Sequence, residues 1–142
     1  MILVRVALPA AIVFAGCGAS ASEAQGRAPA RHLRFFLGWA TYYDDSLAGR
    51  RTASGERYDP AALTAAHRTL PFGTRLRVTR IDTGASVEVR VNDRGPYGRN
   101  RRGRGPRVLD LSRAAMERLD GIAAGVVRVR VEVLDVGPRS LP

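Results

Sequence analysis

Val87 to Pro96 reads Val-Glu-Val-Arg-Val-Asn-Asp-Arg-Gly-Pro, and this stretch constrains the fold more than any other. Val87, Val89 and Val91 fall on one face and Glu88 and Arg90 on the other, the period-two pattern of a strand with one buried side. Gly95 and Pro96 forbid a continuing ladder, so Asn92, Asp93 and Arg94 are expected at a strand end, on a rigid frame yet facing solvent. Asp93 has two readings there: it ties up the turn through local backbone bonds, or it is available for chemistry.

Similar patterns recur on both sides. Gly38-Trp39-Ala40-Thr41-Tyr42-Tyr43 is aromatic and alternating, a strand, and Asp44 to Arg51 is a polar loop. Thr52-Ala53-Ser54-Gly55-Glu56 is a tight turn that exposes a carboxylate, and Asp59-Pro60 opens at most a short helical turn. Thr64-Ala65-Ala66-His67 is small and apolar up to a histidine, and Leu70-Pro71-Phe72-Gly73 turns the chain. Arg75 to Thr79 is a strand with Leu76 and Val78 inward, and Asp82-Thr83-Gly84 is a hairpin turn into the strand ending at Asp93. Val108 to Leu111 is a short strand, Ser112 caps a helix from Arg113 to Leu119, and Val127 to Val133 alternates again. Many short strands with one or two short helices point to a mainly β protein, a small closed barrel.

The ends are different in kind. Val6 to Ala15 is too short an apolar run to span a bilayer but fits an export signal. Phe14-Ala15-Gly16-Cys17 follows and resembles a bacterial lipobox, with the sole cysteine where lipidation requires it. The expected organisation is a signal with lipobox over 1–17, a flexible tether over 18–34, a barrel domain over 35–136 and a tail over 137–142. One cysteine excludes an intramolecular disulfide, and two distant histidines, His32 and His67, offer no metal cluster. No cofactor is expected.

All 23 basic residues are arginine, and the net charge is +10. An anionic partner such as cell-wall polymer or lipid headgroups fits that charge, and so does a composition bias with no partner behind it. The basic loop from Arg99 to Arg107 is either an arm for an anionic polymer or a solvated insertion. The export signal argues against nucleic acid.

Taken together, Gly38 to Tyr43, Thr52 to Glu56, Thr64 to Thr74, Val91 to Pro96 and Asp110-Leu111-Ser112 resemble the double-psi β-barrel domain of the RlpA (rare lipoprotein A) family of septal-ring lytic transglycosylases. The resemblance runs from about Gly38 to Asp135. It implies a six-stranded barrel with a polar groove, and cleavage of peptidoglycan between N-acetylmuramic acid and N-acetylglucosamine without water, leaving 1,6-anhydro ends. Members that cleave prefer glycan stripped of its stem peptides. Carried over by motif, the functional residues are Asp93, Glu56 and His67. The sequence given ends at Pro142 without a SPOR segment, so septal targeting is not carried over.

The chemistry gives that trio roles. Protonating a glycosidic oxygen takes a carboxylic acid, and the same group can afterwards accept the proton of the sugar's own C6 hydroxyl, so one principal carboxylate suffices. Asp93 is that acid; Glu56 supplies a second charge or stabilises the oxocarbenium-like state; His67 bonds a carboxylate or the substrate, or is satisfied in the core. Asp110 is the rival carboxylate, because expansin-like and family-45 cellulase barrels keep a functional aspartate in a similar block, unless it serves only as helix N-terminal charge beside Ser112. Tyr42, Tyr43, Ser54, Arg94 and Asp110 are the expected substrate contacts, Arg94 pointing away from the acid, and Trp39 and the tyrosines either stack on sugars or fill the core. The expected protein is a monomeric lytic transglycosylase of the outer membrane's periplasmic face, held by Cys17, or alternatively secreted. The other reading is an expansin-like module that binds peptidoglycan strands without cutting them.

Overall fold

A computed structural model describes residues 34–98 and 105–138. The signal with Cys17, the tether, His32, residues 99–104 of the arginine loop and residues 139–142 lie outside the described residues.

Six strands close into a barrel: β1 (Phe35–Tyr42), β2 (Thr64–Ala66), β3 (Arg75–Arg80), β4 (Ser86–Asp93), β5 (Arg107–Leu111) and β6 (Val127–Asp135). Their order around the wall is β1-β5-β2-β4-β3-β6. Two pairs are parallel, β1 with β5 and β2 with β4, and the other contacts are antiparallel. This is the double-psi barrel anticipated from the motifs. Arg80, Ala85 and Gly84 close the β3–β4 hairpin as the Asp-Thr-Gly turn requires, with Gly84 at φ 77°.

Period two explains the interior. Leu76 and Val78 of β3, Val87, Val89 and Val91 of β4, and Val127, Val129 and Val131 of β6 are buried, while Arg75, Arg77, Glu88, Arg90, Arg128 and Arg130 stand outside. Each buried valine or leucine stabilises the fold by roughly 1.5–3 kcal/mol relative to exposure. A six-stranded barrel is narrow, so part of its wall must be small: Ala40, Ala65 and Ala66 are fully buried. Gly38 of β1 has no room for a side chain, since a Cβ there would stand 2.4 Å from Val108 Cγ1.

One helix, α1 (Arg113–Arg118), lays Ala115 and Met116 against the barrel. Ser112 caps it, accepting from the Ala115 amide, and the same hydroxyl donates to Ala62 O at 2.6 Å and accepts from Thr64 N at 3.2 Å. The cap thereby joins the helix to the start of β2. A 3-10 helix at Asp45–Leu47 lies in what reads as an irregular polar loop, and Asp44 caps it. Asp59-Pro60 makes a turn, with Ala62 N on Asp59 O.

Candidate active site

The end of β4 is covered by an arm whose tip is the tight turn expected over Thr52 to Glu56. Residues 49–58 fold back on themselves through Gly49 N to Tyr58 O (2.8 Å), Tyr58 N to Arg50 O (2.8 Å) and Thr52 N to Glu56 O (2.7 Å). Gly55 supplies the φ of 90° that the tip needs. The tip docks on β4: Ser54 N donates to Asn92 O at 3.2 Å, and Ala53 N donates to Asp93 Oδ1 at 2.8 Å.

Asp93 is held on both oxygens. Oδ1 also accepts from Arg94 N at 2.8 Å, and Oδ2 accepts from the Tyr43 hydroxyl at 2.7 Å. Tyr43 follows β1, its amide bonded to Leu111 O, and its ring lies 4.8 Å from the ring of buried Tyr58. Burial pushes the Tyr43 phenol far above its ordinary pKa, and the hydrogen bond and charge of Asp93 add to this, so the phenol keeps its proton. A cleft of about 220 Å³ opens beside this pair, between Leu47 of the 3-10 helix and Arg50, Arg51 and Thr52 of the arm.

The other two carboxylates are engaged differently. Glu56 takes a two-point bond from Arg90 (2.7 and 2.9 Å) and a third from Asn92 Nδ2 at 3.2 Å. The Arg90 bond, then the Asn92 bond, holds its carboxyl below the usual range. Asp110 accepts from Arg107 Nη2 at 2.8 Å and from Thr41 Oγ1. It therefore works between β5 and β1, not as charge at the N-terminus of α1. In register, Ala66 of β2 pairs with Asp93 on one side and Asp110 on the other, which sets the two aspartates two strands apart, roughly 10 Å between Cα atoms. Among the described residues no three histidine, cysteine or acidic side chains converge as a metal site.

His67 is half-buried and directed into its own turn. Its Nδ1 accepts from Thr69 N (3.1 Å) and Leu70 N (3.0 Å), so the ring proton resides on Nε2, and the ring tilts against Phe36 at 5.4 Å. Burial first, then the charges of Arg94 and Arg68, lowers its pKa, and the ring is neutral at pH 7. Only the His67 backbone reaches Asp93, N to O at 3.2 Å. Arg94 does point away from the acid: its Nη1 donates to His67 O and Leu70 O, and its guanidinium lies 3.9 Å over Phe72. Ser54 sits at the arm tip with its hydroxyl 2.9 Å from that of Thr52, and half-buried Tyr42 packs against the core.

The structure thus brings Asp93, Tyr43 and Ser54 together, with Glu56 one bond away through Asn92. It adds Arg50, Tyr58, Arg90, Asn92 and Thr41, none of which the motifs single out for a role, and it pairs Arg107, the last residue of the basic loop, with Asp110. A further signal for the arm is that Arg51 and Arg57 sit symmetrically about Ser54, as the two legs of a tight hairpin would, and they form an isolated bridge.

The model of the family described as lytic transglycolase matches residues 36–131. A protein of a Nostoc species, named "Probable endolytic peptidoglycan transglycosylase RlpA", is 54% identical over 101 residues, 70% of this chain and 26% of its own length. The "Endolytic peptidoglycan transglycosylase RlpA" of Campylobacter jejuni is 45% identical over 100 residues, 70% of this chain and 34% of its own. The match thus spans about a quarter to a third of these relatives. Among solved structures, the Streptomyces papain inhibitor (TM-score 0.53, 24% identity, 70% of this chain and 93% of that one) shares the fold. So does the expansin of Clavibacter michiganensis (TM-score 0.53, 24% identity, 77% and 54%). With the barrel, the ordered motifs and a family model covering most of the strands, the chain belongs to the RlpA family of double-psi β-barrel proteins.

Proposed function

We propose that this protein is an endolytic lytic transglycosylase that cuts N-acetylmuramic acid–N-acetylglucosamine linkages of peptidoglycan glycan strands and leaves 1,6-anhydro ends. The observation that carries this reading is the inequality of the three carboxylates that the motifs single out, Asp93, Glu56 and Asp110. Glu56 and Asp110 each pair with an arginine, whereas Asp93 makes no ion pair among the described residues and is held by neutral donors. A group that must give and take a proton is poorly served by a guanidinium that favours its charged form.

In the proposed reaction Asp93 gives its proton to the glycosidic oxygen as the bond from C1 breaks. The C6 hydroxyl of the same muramic residue then closes on C1, and its proton passes to Asp93, which restores the acid. No water is consumed. The Tyr43 hydroxyl both donates and accepts, so it can stay on Oδ2 through the cycle, while the Ala53 and Arg94 amides fix Oδ1. Ionised Glu56, braced by Arg90 and Asn92, steadies the arm tip. His67 donates Nε2–H to the strand, Tyr43 and Ser54 contact sugar, and Arg94 supports the site from behind. Asp110, tied to Arg107 and Thr41 between β5 and β1, holds the barrel wall and does not activate water.

The proposed setting is the periplasmic face of the outer membrane, with the protein as a monomer anchored through lipidated Cys17; the Phe-Ala-Gly-Cys block supports this. Labelled fatty acid incorporated by the wild type and absent from Cys17→Ser is the expected result; equal labelling removes the anchor. For the activity, the purified protein is incubated with peptidoglycan and the fragments weighed by mass spectrometry. Anhydro-ended fragments from the wild type and none from Asp93→Asn support the reading. Binding without cutting by both proteins replaces it with a wall-binding module.

A further inference from the structure

The period-two rule that makes the outer positions of β3 and β4 charged fails on β1. There the outward residues are Phe35 and Leu37, 56% and 49% exposed. With Ile81, one residue past β3 and 46% exposed, they are three of the five large hydrophobic side chains exposed among the described residues. All three belong to one wall. Phe35 lies opposite Glu132, Leu37 opposite Arg130 and Trp39 opposite Arg128, so each pair shares the outer face of β1 and β6. On the other side of β6 the Ile81 amide donates to Arg128 O at 3.0 Å. The wall is therefore apolar on both flanks and basic along its middle strand. Arg130 lies 4.6 Å over the Phe35 ring and bonds Glu132 at 3.0 Å, while Arg128 is exposed and in no ion pair among the described residues. Single exposed apolar residues are ordinary, but a contiguous set edged by charge marks a contact surface.

A bilayer surface suits this composition, because apolar side chains enter the boundary between headgroups and acyl chains while arginines meet lipid phosphates. Three observations favour it over other occupants. The exposed apolar set is small, well short of the roughly 800 Å² per partner that a stable dimer buries. Residues 18–34 separate Cys17, the proposed anchor, from Phe35, so the strand that heads this wall is the first one after the anchor. Barrel closure supplies the third. In the order β1-β5-β2-β4-β3-β6, β6 is three strands from β2 in either direction, so the wall centred on β6 lies across the barrel from the strand that separates Asp93 and Asp110. A membrane held there leaves the two aspartates on the far side. We propose that the outer wall of β1, β6 and β3 is a membrane-contact face that rests on a bilayer containing anionic phospholipid and turns the Asp93 side towards the glycan. The inference rests on the proposed anchored setting and is independent of whether the protein cuts.

The chain has one tryptophan, Trp39, and it stands in this wall beside Arg128, so its fluorescence reports on the face directly. The whole protein, as isolated from membranes, is reconstituted in vesicles whose acyl chains carry bromine, a contact quencher. One set is phosphatidylcholine with phosphatidylglycerol and the other phosphatidylcholine alone. Trp39 is expected to be quenched in the anionic set and much less in the neutral one, and to recover as salt is raised. In Phe35→Ser/Leu37→Ser, and separately in Arg128→Gln/Arg130→Gln, the ratio of quenched to unquenched protein should fall about tenfold or more. All four side chains are exposed, and melting curves check that both variants fold. An unquenched Trp39 on vesicle-bound wild type, equal quenching in both lipids, or variants quenched like the wild type overturn the face. So does a dimer in sedimentation, or retention by glycan strands, that Phe35→Ser/Leu37→Ser abolishes, since either gives the wall to another occupant. If Cys17 bears no lipid, the anchored setting fails by itself, and titration of the same protein with preformed vesicles judges the face under the same criteria.

Discussion

Asp93 and Asp110 stand on either side of Ala66, at the same level of the barrel wall, yet their surroundings differ in kind. Asp110 faces a guanidinium and a threonine hydroxyl, both from its own neighbourhood of β5 and β1. Asp93 faces two backbone amides and a phenol, brought from the arm, from its own strand end and from beyond β1. An ion pair of half-buried groups anchors structure; a carboxylate fixed by neutral donors is oriented without a guanidinium partner. Register alone makes the two aspartates look equivalent. Their partners separate them.

The largest expected effect tests that separation. Asp93→Asn should lower the rate of anhydro-end formation by roughly 10²–10⁴, the usual share of general acid–base catalysis, with little change in thermal stability. Asp110→Asn should do the reverse: a rate within about tenfold of wild type and a loss of ~1–3 kcal/mol, because Arg107 keeps its charge while losing its partner. Denaturant titration and product analysis on both variants decide it. If Asp110→Asn is the dead enzyme and Asp93→Asn the merely unstable one, the roles are exchanged.

A smaller effect sharpens the Asp93 side. Tyr43→Phe removes the one side-chain donor on Oδ2 and leaves both amides on Oδ1. The expected result is a fall in kcat of about tenfold with KM nearly unchanged, since the lost bond orients the acid more than it binds sugar. An increase in KM at constant kcat would make Tyr43 a sugar contact only.

Next comes His67, whose environment resembles neither aspartate. Its pKa is lowered from 6.5 in the folded protein, so below that value the unfolded chain binds the proton more readily and acid favours unfolding. Stability is therefore full above pH 6.5 and falls as the pH drops from there towards the folded pKa. His67→Asn keeps an acceptor for the Thr69 and Leu70 amides and should flatten this slope, while His67→Ala abandons both amides and should cost ~1–2 kcal/mol above pH 6.5, a difference that shrinks below it. Melting temperatures from pH 5 to 8 give the answer, and an unchanged slope in His67→Asn would place the titration elsewhere.

The contrast between barrel and site also explains what was legible in the chain. Leu76, Val78, Val87, Val89, Val91, Val127, Val129 and Val131 advertise their strands because alternation is a local property, and Ser112 and Gly84 mark a cap and a turn by local chemistry. β2 hides because Thr64, Ala65 and Ala66 are small and all buried, with no polar face to alternate against. Asp93 stands out as the acid that ends a strand, but its partners do not: Ala53 is 40 residues away and Tyr43 is 50. The same distance conceals the grip of Arg90 on Glu56 and of Thr41 on Asp110, so Glu56 reads as a free second charge and Asp110 as a helix-end charge. Long-range pairing is set by barrel closure, and no window of sequence contains it.

The smallest expected effect lies on the outer wall and bounds the comparison from below. Glu88 bridges Arg75 and Arg77 at 2.9 and 3.0 Å, on paper a better-connected carboxylate than Asp110. All three side chains, however, are 44–57% exposed, whereas Arg107 and Asp110 are 26% and 18% exposed. Water and salt screen the first cluster, and ordering two long arginines offsets much of what remains. Glu88→Gln should therefore change stability by less than ~0.5 kcal/mol, and added salt should reduce the difference further. A loss as large as that of Asp110→Asn would mean that partner number, not burial, sets the worth of an ion pair on this barrel, and the ranking of its carboxylates would have to be rebuilt on that basis.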